Sequence, residues 1–222
     1  MEGGDGLSLV DFFAANGDKI LEMTIEHVKL VGLAVATAIL IGVPLGIYIT
    51  QREALANVVL SIAGIIMTIP SIALFGVMIP ILSIINQGIG FLPAYIALVL
   101  YSQLPIIRNT YVAIKGLDHN VRDAAIGMGM TTWQRLIKVE VPLAFPVIMA
   151  GVRVAVVLTI GIGAIAAYIG AGGLGEYISR GISTSYTVMV QAGAISVAVL
   201  AVVFDYLLGY IQKKSEPVKK KA

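Results

Sequence analysis

The side chains that could carry out chemistry are few in this sequence. It contains no cysteine and only two histidines, His27 and His119, and neither stands at a metal-ligand spacing from other possible ligands. The phosphate-binding pattern G-x-x-x-x-G-K-S/T is also absent, so hydrolysis of ATP by the usual P-loop route is excluded. We therefore expect no catalytic residue, no metal site and no cofactor bound by this chain.

The residue pattern at 123–142 favours binding of a soluble partner instead. Asp123 favours the start of a short helix, and the two alanines that follow it leave a shallow surface for close approach. Gly129 can adopt the positive φ that ends such a helix. We predict a first short helix that ends in a glycine joint.

A second short helix is predicted directly after this joint. Thr131, followed three residues later by Gln134, offers a capping box. Trp133, Leu136 and Ile137 can then share one side of the helix, with the basic residues on another. The predicted pair is an amphipathic element suited to docking against a soluble protein.

The composition places these helices beside a membrane. Hydrophobic residues make up 58% of the 222 residues and charged residues only 13%, with a mean hydropathy of +0.94. An average soluble domain has about 25% charged residues. The chain is therefore expected to be an all-α, multi-pass integral membrane protein.

The intervals between charged residues predict about five transmembrane helices. One crossing needs about 20 apolar residues. The uncharged interval 54–107 is long enough for two crossings, with a fold-back at the polar, glycine-rich residues 86–90. The predicted spans are residues 27–50, 56–82, 91–108, 143–168 and 186–211.

The distribution of charge predicts the orientation. The first 27 residues hold six acidic residues and the single base Lys19, whereas five lysines follow Tyr210. By the positive-inside rule, the N-terminus is outside and the C-terminus is cytoplasmic. Five crossings agree with ends on opposite sides and place the basic connection 109–142 in the cytoplasm.

These patterns divide the chain into three parts. Residues 1–23 are predicted to form an extracytoplasmic amphipathic lead-in, either on the outer interface or as an ordinary solvated segment. Residues 24–208 form the transmembrane domain, which includes the cytoplasmic loop 115–142. Residues 209–222 form a basic cytoplasmic tail.

The loop resembles the coupling motif of ABC importer permeases. In that family, the pattern E-A-A, three residues, G, nine residues, I, any residue, L and P lies in the cytoplasmic loop two spans before the C-terminus. At that spacing stand Asp123, Ala124, Ala125, Gly129, Val139, Val141 and Pro142. Aspartate replaces the glutamate of the motif, and smaller aliphatic residues occupy positions 139 and 141. The resemblance implies that Asp123, Ala124, Ala125, Gly129, Val139 and Pro142 couple the chain to an ATPase.

Other segments resemble osmoprotectant permeases of the glycine betaine, carnitine and choline type. They are residues 68–73, 101–111, 146–153 and 169–175, and methionine importer permeases share parts of them. The resemblance implies a methionine-importer-like type I permease fold in the bacterial cytoplasmic membrane. It also implies a second permease copy or sister permease, an extracytoplasmic substrate-binding protein, and ABC ATPase subunits that use ATP and Mg. Membrane lipid surrounds such a chain, and no nucleic-acid partner is expected.

Several residues within the spans are candidates for the gate or pathway. Pro70 removes a backbone donor, and Ser71 could pair the freed carbonyl, so a hinge or a packing kink is expected there. Arg153 could contact the coupling helices or line the inner vestibule, or it could simply snorkel or cap carbonyls. The full set is Met67, Thr68, Pro70, Ser71, Tyr101, Gln103, Asn109, Arg153 and Tyr168.

Two other classes of protein compete with the permease. A membrane-embedded enzyme would need clustered His, Asp or Glu side chains, or a serine with a base. A secondary transporter would be expected to show an inverted repeat and buried coupling residues. Neither set of features is evident. The resemblance therefore predicts an ATP-driven permease for an osmoprotectant; the first alternative is a permease for another small solute such as methionine, and the second is a secondary transporter.

Overall fold

The computed structural model describes residues 8–215, and all the regular structure in that range is helical. The all-α prediction is therefore confirmed. The helices are α1 (Leu9–Ile49), α2 (Glu53–Thr68), α3 (Ser71–Ser83), α4 (Phe91–Lys115), α5 (His119–Gly127), α6 (Thr132–Arg135), α7 (Val141–Ile165), α8 (Gly175–Ser183) and α9 (Thr187–Lys214). A π-turn (Leu136–Glu140) joins α6 to α7, and a 3₁₀ turn (Ala166–Ile169) follows α7.

Four helical segments in the described range are long and apolar enough to cross a membrane. They are α1, α4, the continuous segment Thr132–Ile169, and α9. The helices α2 and α3 become a fifth span if the pair, which is bent by 100°, is counted as one. The predicted number of spans is thus confirmed, but the second span is broken at Pro70 and α4 continues to Lys115 rather than ending at 108.

The predicted lead-in is not a separate segment over its described residues. Helix α1 begins at Leu9 with a Ser8 and Asp11 capping box and runs into the first span, with a kink at Asn16. The Asn16 side chain donates to the Phe12 carbonyl at 2.9 Å, which competes with the helical backbone bond. Phe12 packs edge-on against Tyr177 at 5.5 Å between ring centroids. The apolar face of the lead-in is therefore buried against α8, while residues 1–7 and 216–222 of the predicted terminal segments lie outside the described residues.

The centre of the bundle consists of α1, α4 and α7, which pack closely through small residues. A Cβ added at Gly46 would come within 2.7 Å of Thr110, and one added at Gly42 within 2.9 Å of Ile106. Within a membrane, association of helices depends on such close backbone approach because lipid offers no hydrophobic driving force between them. Helix α9 packs on α7 and α8 at one side, and α2 and α3 pack on α4 at the other.

The ends of the described chain lie at opposite ends of this bundle. Phe12 packs beside α8, close to where α9 begins. Helix α9 then runs 28 residues to Lys214, which is about 42 Å at the rise of an α-helix. This arrangement agrees with an odd number of crossings.

Gly151 provides a test of the packing between α4 and α7. A Cβ at this position would meet the Pro105 carbonyl oxygen at 2.7 Å, so the two helices would have to separate. Overpacking of this kind costs about 1–3 kcal/mol. We expect Gly151→Ala to lower the unfolding temperature of the detergent-solubilised chain measurably.

Gly161→Ala is the matched control. Gly161 lies in the same helix, and a Cβ there would meet nothing within 4 Å. Equal unfolding temperatures for the two variants would contradict the close packing of α4 on α7.

Candidate functional site

The segment after α4 folds into two short helices at one end of the bundle; we call residues 118–140 the α5–α6 unit. Helix α5 begins at His119 and is capped by Asp118, whose carboxylate accepts from the Asn120 amide at 2.9 Å. The prediction that Asp123 starts the helix is therefore wrong, because Asp118 supplies the cap one turn earlier. Asp123 instead lies 2.7 Å from Nδ1 of His119 on the exposed face.

The predicted glycine joint is present. Gly129 has φ +76, and its amide donates to the Ile126 carbonyl at 2.9 Å. The Met130 amide donates to the Ala125 carbonyl at 3.2 Å. These two bonds form a Schellman motif, which ends α5 and requires a residue that tolerates positive φ. Ala125 is itself buried, with 1% exposure.

The predicted capping box is also present. The Thr131 hydroxyl accepts from the Gln134 amide at 3.3 Å, and the Gln134 side chain accepts from the Thr131 amide at 3.0 Å. The second helix is not a separate short element, however, because α6 continues through the π-turn into α7. Pro142 cannot donate a backbone bond, and the wider turn just before it keeps the helix continuous.

The three apolar residues of the second helix do not share one side, in contrast to the sequence prediction. Trp133 and Ile137 are exposed, whereas Leu136 is buried against α4 and α7. Ile126 and Met128 are exposed on the neighbouring turns. The α5–α6 unit therefore exposes four apolar side chains, which we call its apolar face: Ile126, Met128, Trp133 and Ile137.

A buried carboxylate at the base of α7 is not predicted from the sequence. Glu140 is 1% exposed, and its Oε1 accepts from Nε of Arg135 at 2.8 Å and from Nε of Arg122 at 3.0 Å. Arg122 also donates to the Ile114 carbonyl of α4 at 3.2 Å. In the sequence, Arg122 and Arg135 contribute only to the positive charge that predicts the orientation. The available signal was a lone acid inside the apolar run at 139–142.

At the break between α2 and α3, a backbone carbonyl has a hydrogen-bond partner that the sequence does not predict. Ile69 has an extended backbone (φ −69, ψ 128) because the residue before a proline is disfavoured in the helical region. Its carbonyl accepts a hydrogen bond from the Tyr101 hydroxyl on α4. The expectation that Ser71 pairs the freed carbonyl is wrong. Thr68 instead turns its hydroxyl back to the Ile65 carbonyl at 2.7 Å.

The remaining pathway candidates are spread along the bundle. Met67 packs partly buried near Tyr101, while Tyr168 is half exposed in the turn after α7. Gln103 and Asn109 donate to the α4 carbonyls of Val99 (3.3 Å) and Pro105 (2.8 Å). The structure thus brings together Met67, Thr68, Pro70, Ser71 and Tyr101 around the break, and places the others apart from it.

Arg153 is paired across two helices. Its Nε and Nη2 donate to the two carboxylate oxygens of Asp205 on α9, at 2.5 and 2.6 Å. Such a bidentate pair is geometrically specific. The guanidinium lies over Gly209, where a Cβ would approach Nη1 to 3.1 Å. Arg153 therefore links α7 to α9, a pairing that the sequence analysis did not predict.

A glycine turn closes the other end of the bundle. Gly170, Gly172 and Gly173 all have positive φ. The Gly173 amide donates to Glu26 of α1 at 3.1 Å, and the Gly90 amide donates to the Ile169 carbonyl at 2.8 Å. This turn fastens α1, the start of α4 and the end of α7 to one another.

Among residues 8–215, no group of three or more His, Cys, Asp or Glu side chains could hold a metal ion.

Comparison with known proteins gives one family. Residues 38–216 match the family model described as "Binding-protein-dependent transport system inner membrane component". The chain is 50% identical over 206 residues to the osmoprotectant import permease protein OsmW of Salmonella typhimurium, covering 93% of this chain and 96% of that protein. It is 42% identical to the carnitine transport permease protein OpuCD of Listeria monocytogenes, with 96% and 94% coverage. It is 40% identical to the choline transport system permease protein OpuBB of Bacillus subtilis, with 94% coverage of each.

Solved structures confirm the fold. An inward-facing structure of the MetNI methionine ABC transporter contains a chain with a TM-score of 0.79 and 23% identity, covering 89% of this chain and 96% of that one. A chain of an amino acid ABC transporter with histidines gives a TM-score of 0.75 at 20% identity, with 94% and 99% coverage. The predicted methionine-importer-like fold is thus confirmed.

The bond from Tyr101 to the Ile69 carbonyl can be tested without knowing what the protein carries. Tyr101→Phe keeps the ring and removes the donor, and an unpaired polar group in apolar surroundings costs about 1–3 kcal/mol. We expect the break to open more often. Labelling of a single cysteine introduced by Thr68→Cys with a polar maleimide should therefore be faster.

Tyr95→Phe is the matched control on the same helix. It also removes one hydroxyl, which lies 2.7 Å from the Thr37 hydroxyl on α1. If both variants label at the wild-type rate, the Tyr101 bond does not hold the break.

Proposed function

The chain belongs to the family of binding-protein-dependent transport system inner membrane components, and on that premise we propose that it imports an osmoprotectant of the glycine betaine, carnitine or choline type. As a member of this family it is a permease of an ABC importer in the cell membrane. The similarity that carries the substrate class is 40–50% identity to osmoprotectant, carnitine and choline permeases over nearly the whole chain.

The charges within the bundle support a neutral or zwitterionic solute. Arg153 is the charged residue among the pathway candidates, and its charge is matched by Asp205 in a one-to-one ion pair. A strongly charged solute would be expected to meet compensating charge along its path. A quaternary ammonium compound is instead attracted to aromatic faces, and Tyr48 and Tyr168 are each about half exposed. Tyr101 is buried and is better suited to holding the α2–α3 break.

Coupling to ATP hydrolysis is assigned to the α5–α6 unit. Its exposed apolar face offers a docking surface, and Asp123, Ala124 and Gly129 are exposed beside it. Ala125 and Val139 lie on the inner side, so they act by shaping the unit. Pro142 lies where the unit joins α7. ATP and Mg would be used by the partner ATPase, which binds this face from the cytoplasm.

The orientation and the remaining partners follow from the same proposal. With the α5–α6 unit inside, the N-terminus and the glycine turn are outside, and the extracytoplasmic binding protein delivers solute at that end. The lysines near the end of α9 are then cytoplasmic, as the positive-inside rule requires. A second copy of this chain, or a sister permease, completes the pathway.

The substrate class is tested by uptake in cells that rely on this system. At high osmolarity, we expect accumulation of radiolabelled glycine betaine, carnitine or choline, and a strong reduction when the gene is deleted. The matched control is methionine uptake in the same strains. Methionine uptake that depends on the chain, without competition by a quaternary ammonium solute, would contradict the osmoprotectant assignment and leave the permease assignment intact.

The coupling role is tested at Gly129. Gly129→Asp adds a side chain and a negative charge beside the docking face, where a Cβ would otherwise meet open space. We expect the variant to insert normally but to lose co-purification of the ATPase and uptake.

Gly129→Asn separates charge from backbone strain. Asn tolerates the positive φ of this position about as well as Asp, and it adds no charge. We expect it to retain most of the ATPase association. Wild-type uptake by Gly129→Asp would contradict a docking role for this joint.

A further inference from the structure

The α5–α6 unit has almost no apolar core of its own. Helix α5 buries only Ala125, and α6 buries none of its four residues. Helices this short are marginal in isolation, since most helical stability in proteins comes from tertiary packing. Apart from Leu136, which packs against α4 and α7, apolar burial contributes little to holding the unit against the bundle, and polar contacts must supply the rest.

Two of the polar contacts that hold it meet at one atom. Oε1 of Glu140 accepts from Arg122 on α5 and from Arg135 on α6. Glu140 itself lies in the π-turn at the base of α7, and Arg122 also reaches the Ile114 carbonyl near the end of α4. A single carboxylate therefore joins α5 and α6 to α7, and Arg122 extends the connection to α4.

These charged groups are largely buried, so each depends on its partner for charge compensation. The side chain of Glu140 is 1% exposed, and those of Arg135 and Arg122 are 14% and 27% exposed. Removal of one partner from a buried charge pair is strongly destabilising because the other charge is left uncompensated. The pair Lys19 and Glu22, whose side chains are more than half exposed, has no such constraint.

We propose that Glu140 is a positioning residue that makes the α5–α6 unit move as one body with the ends of α4 and α7. The proposal rests on the coupling function assigned to this unit. A force applied to the apolar face is carried through Arg122 and Glu140 into α7, which is continuous with α6. Without the carboxylate, the partner ATPase still docks on the exposed face, but α5 moves independently of α7.

Glu140→Gln tests this in the complete transporter. The amide has the size of the carboxylate but carries no charge, so its oxygen accepts more weakly from the two arginines and their positive charges are left uncompensated. We expect ATPase association and basal ATP hydrolysis to persist while uptake per ATP falls about tenfold, within the range of single changes along a coupling network. Glu53→Gln, which removes an exposed carboxylate in the first turn of α2, should leave both unchanged.

A distance measurement distinguishes positioning from a general loss of structure. The chain has no cysteine, so spin labels can be placed at Asn120→Cys on α5 and Lys138→Cys in the π-turn without background labelling. We expect a narrow distance distribution in the wild type and a clearly broader one in Glu140→Gln. An unchanged distribution together with unchanged uptake per ATP would overturn the proposal.

Arg122→Lys provides a second variant if Glu140→Gln does not insert. Lysine keeps the charge, but one ammonium group cannot reproduce the fork that reaches both Glu140 and Ile114. Broadened spin-label distances and reduced uptake per ATP support the proposal, and wild-type values for both overturn it. Since the distance measurement needs no transport, it tests the positioning role even if the chain proves not to couple to an ATPase.

Discussion

Backbone groups in an apolar layer must find partners within the protein, and this constraint decides where the helices of this chain can end or break. The carbonyl of Ile69, at the break before Pro70, is paired by Tyr101. The turn after α7 is closed by its own backbone bonds and by the Gly90 amide on the Ile169 carbonyl. Pro142 follows a π-turn rather than a helix end. Each departure from the regular helix is thus accompanied by a specific donor or by a wider turn.

At each end of α7, a glutamate accepts hydrogen bonds that join different elements of the bundle. At its base, Glu140 gathers arginines from α5 and α6. Beyond its other end, Glu26 of α1 accepts from the Gly173 amide in the glycine turn, and His27 lies 3.1 Å from the Ile160 carbonyl. Between them, Arg153 pairs with Asp205 of α9. Helix α7 is therefore the element that connects the α5–α6 unit with the glycine turn.

The sequence predicts regular elements and local caps well because both depend on neighbours in the chain. Gly129 and the Thr131 and Gln134 capping box follow from residue types at fixed spacing, and the structure contains both. The bond from Tyr101 to Ile69 joins residues 32 positions apart, and the Arg153 and Asp205 pair joins residues 52 positions apart. The spacing of apolar and polar residues along the chain does not indicate contacts between residues so far apart. Helix α5 starts after Asp118 rather than at the predicted Asp123, because the Asp118 side chain caps the helix and both residue types favour a helix start.

The same contacts indicate which parts of the bundle can move relative to each other. Helix α7 is held at its base by the Glu140 ion pairs and at its other end by backbone hydrogen bonds of the glycine turn, so we expect a displacement at its base to be transmitted along its length. Helices α2 and α3 pack mainly on α4 and bury few residues, namely Ala56, Ala63, Leu74 and Phe75. The loop between α3 and α4 is nevertheless joined to the turn after α7 through Gly90 and Ile169. On the coupling role proposed above, we expect a shift of α7 to reach α3 at the glycine-turn end, with the break at Pro70 as the hinge between α3 and α2.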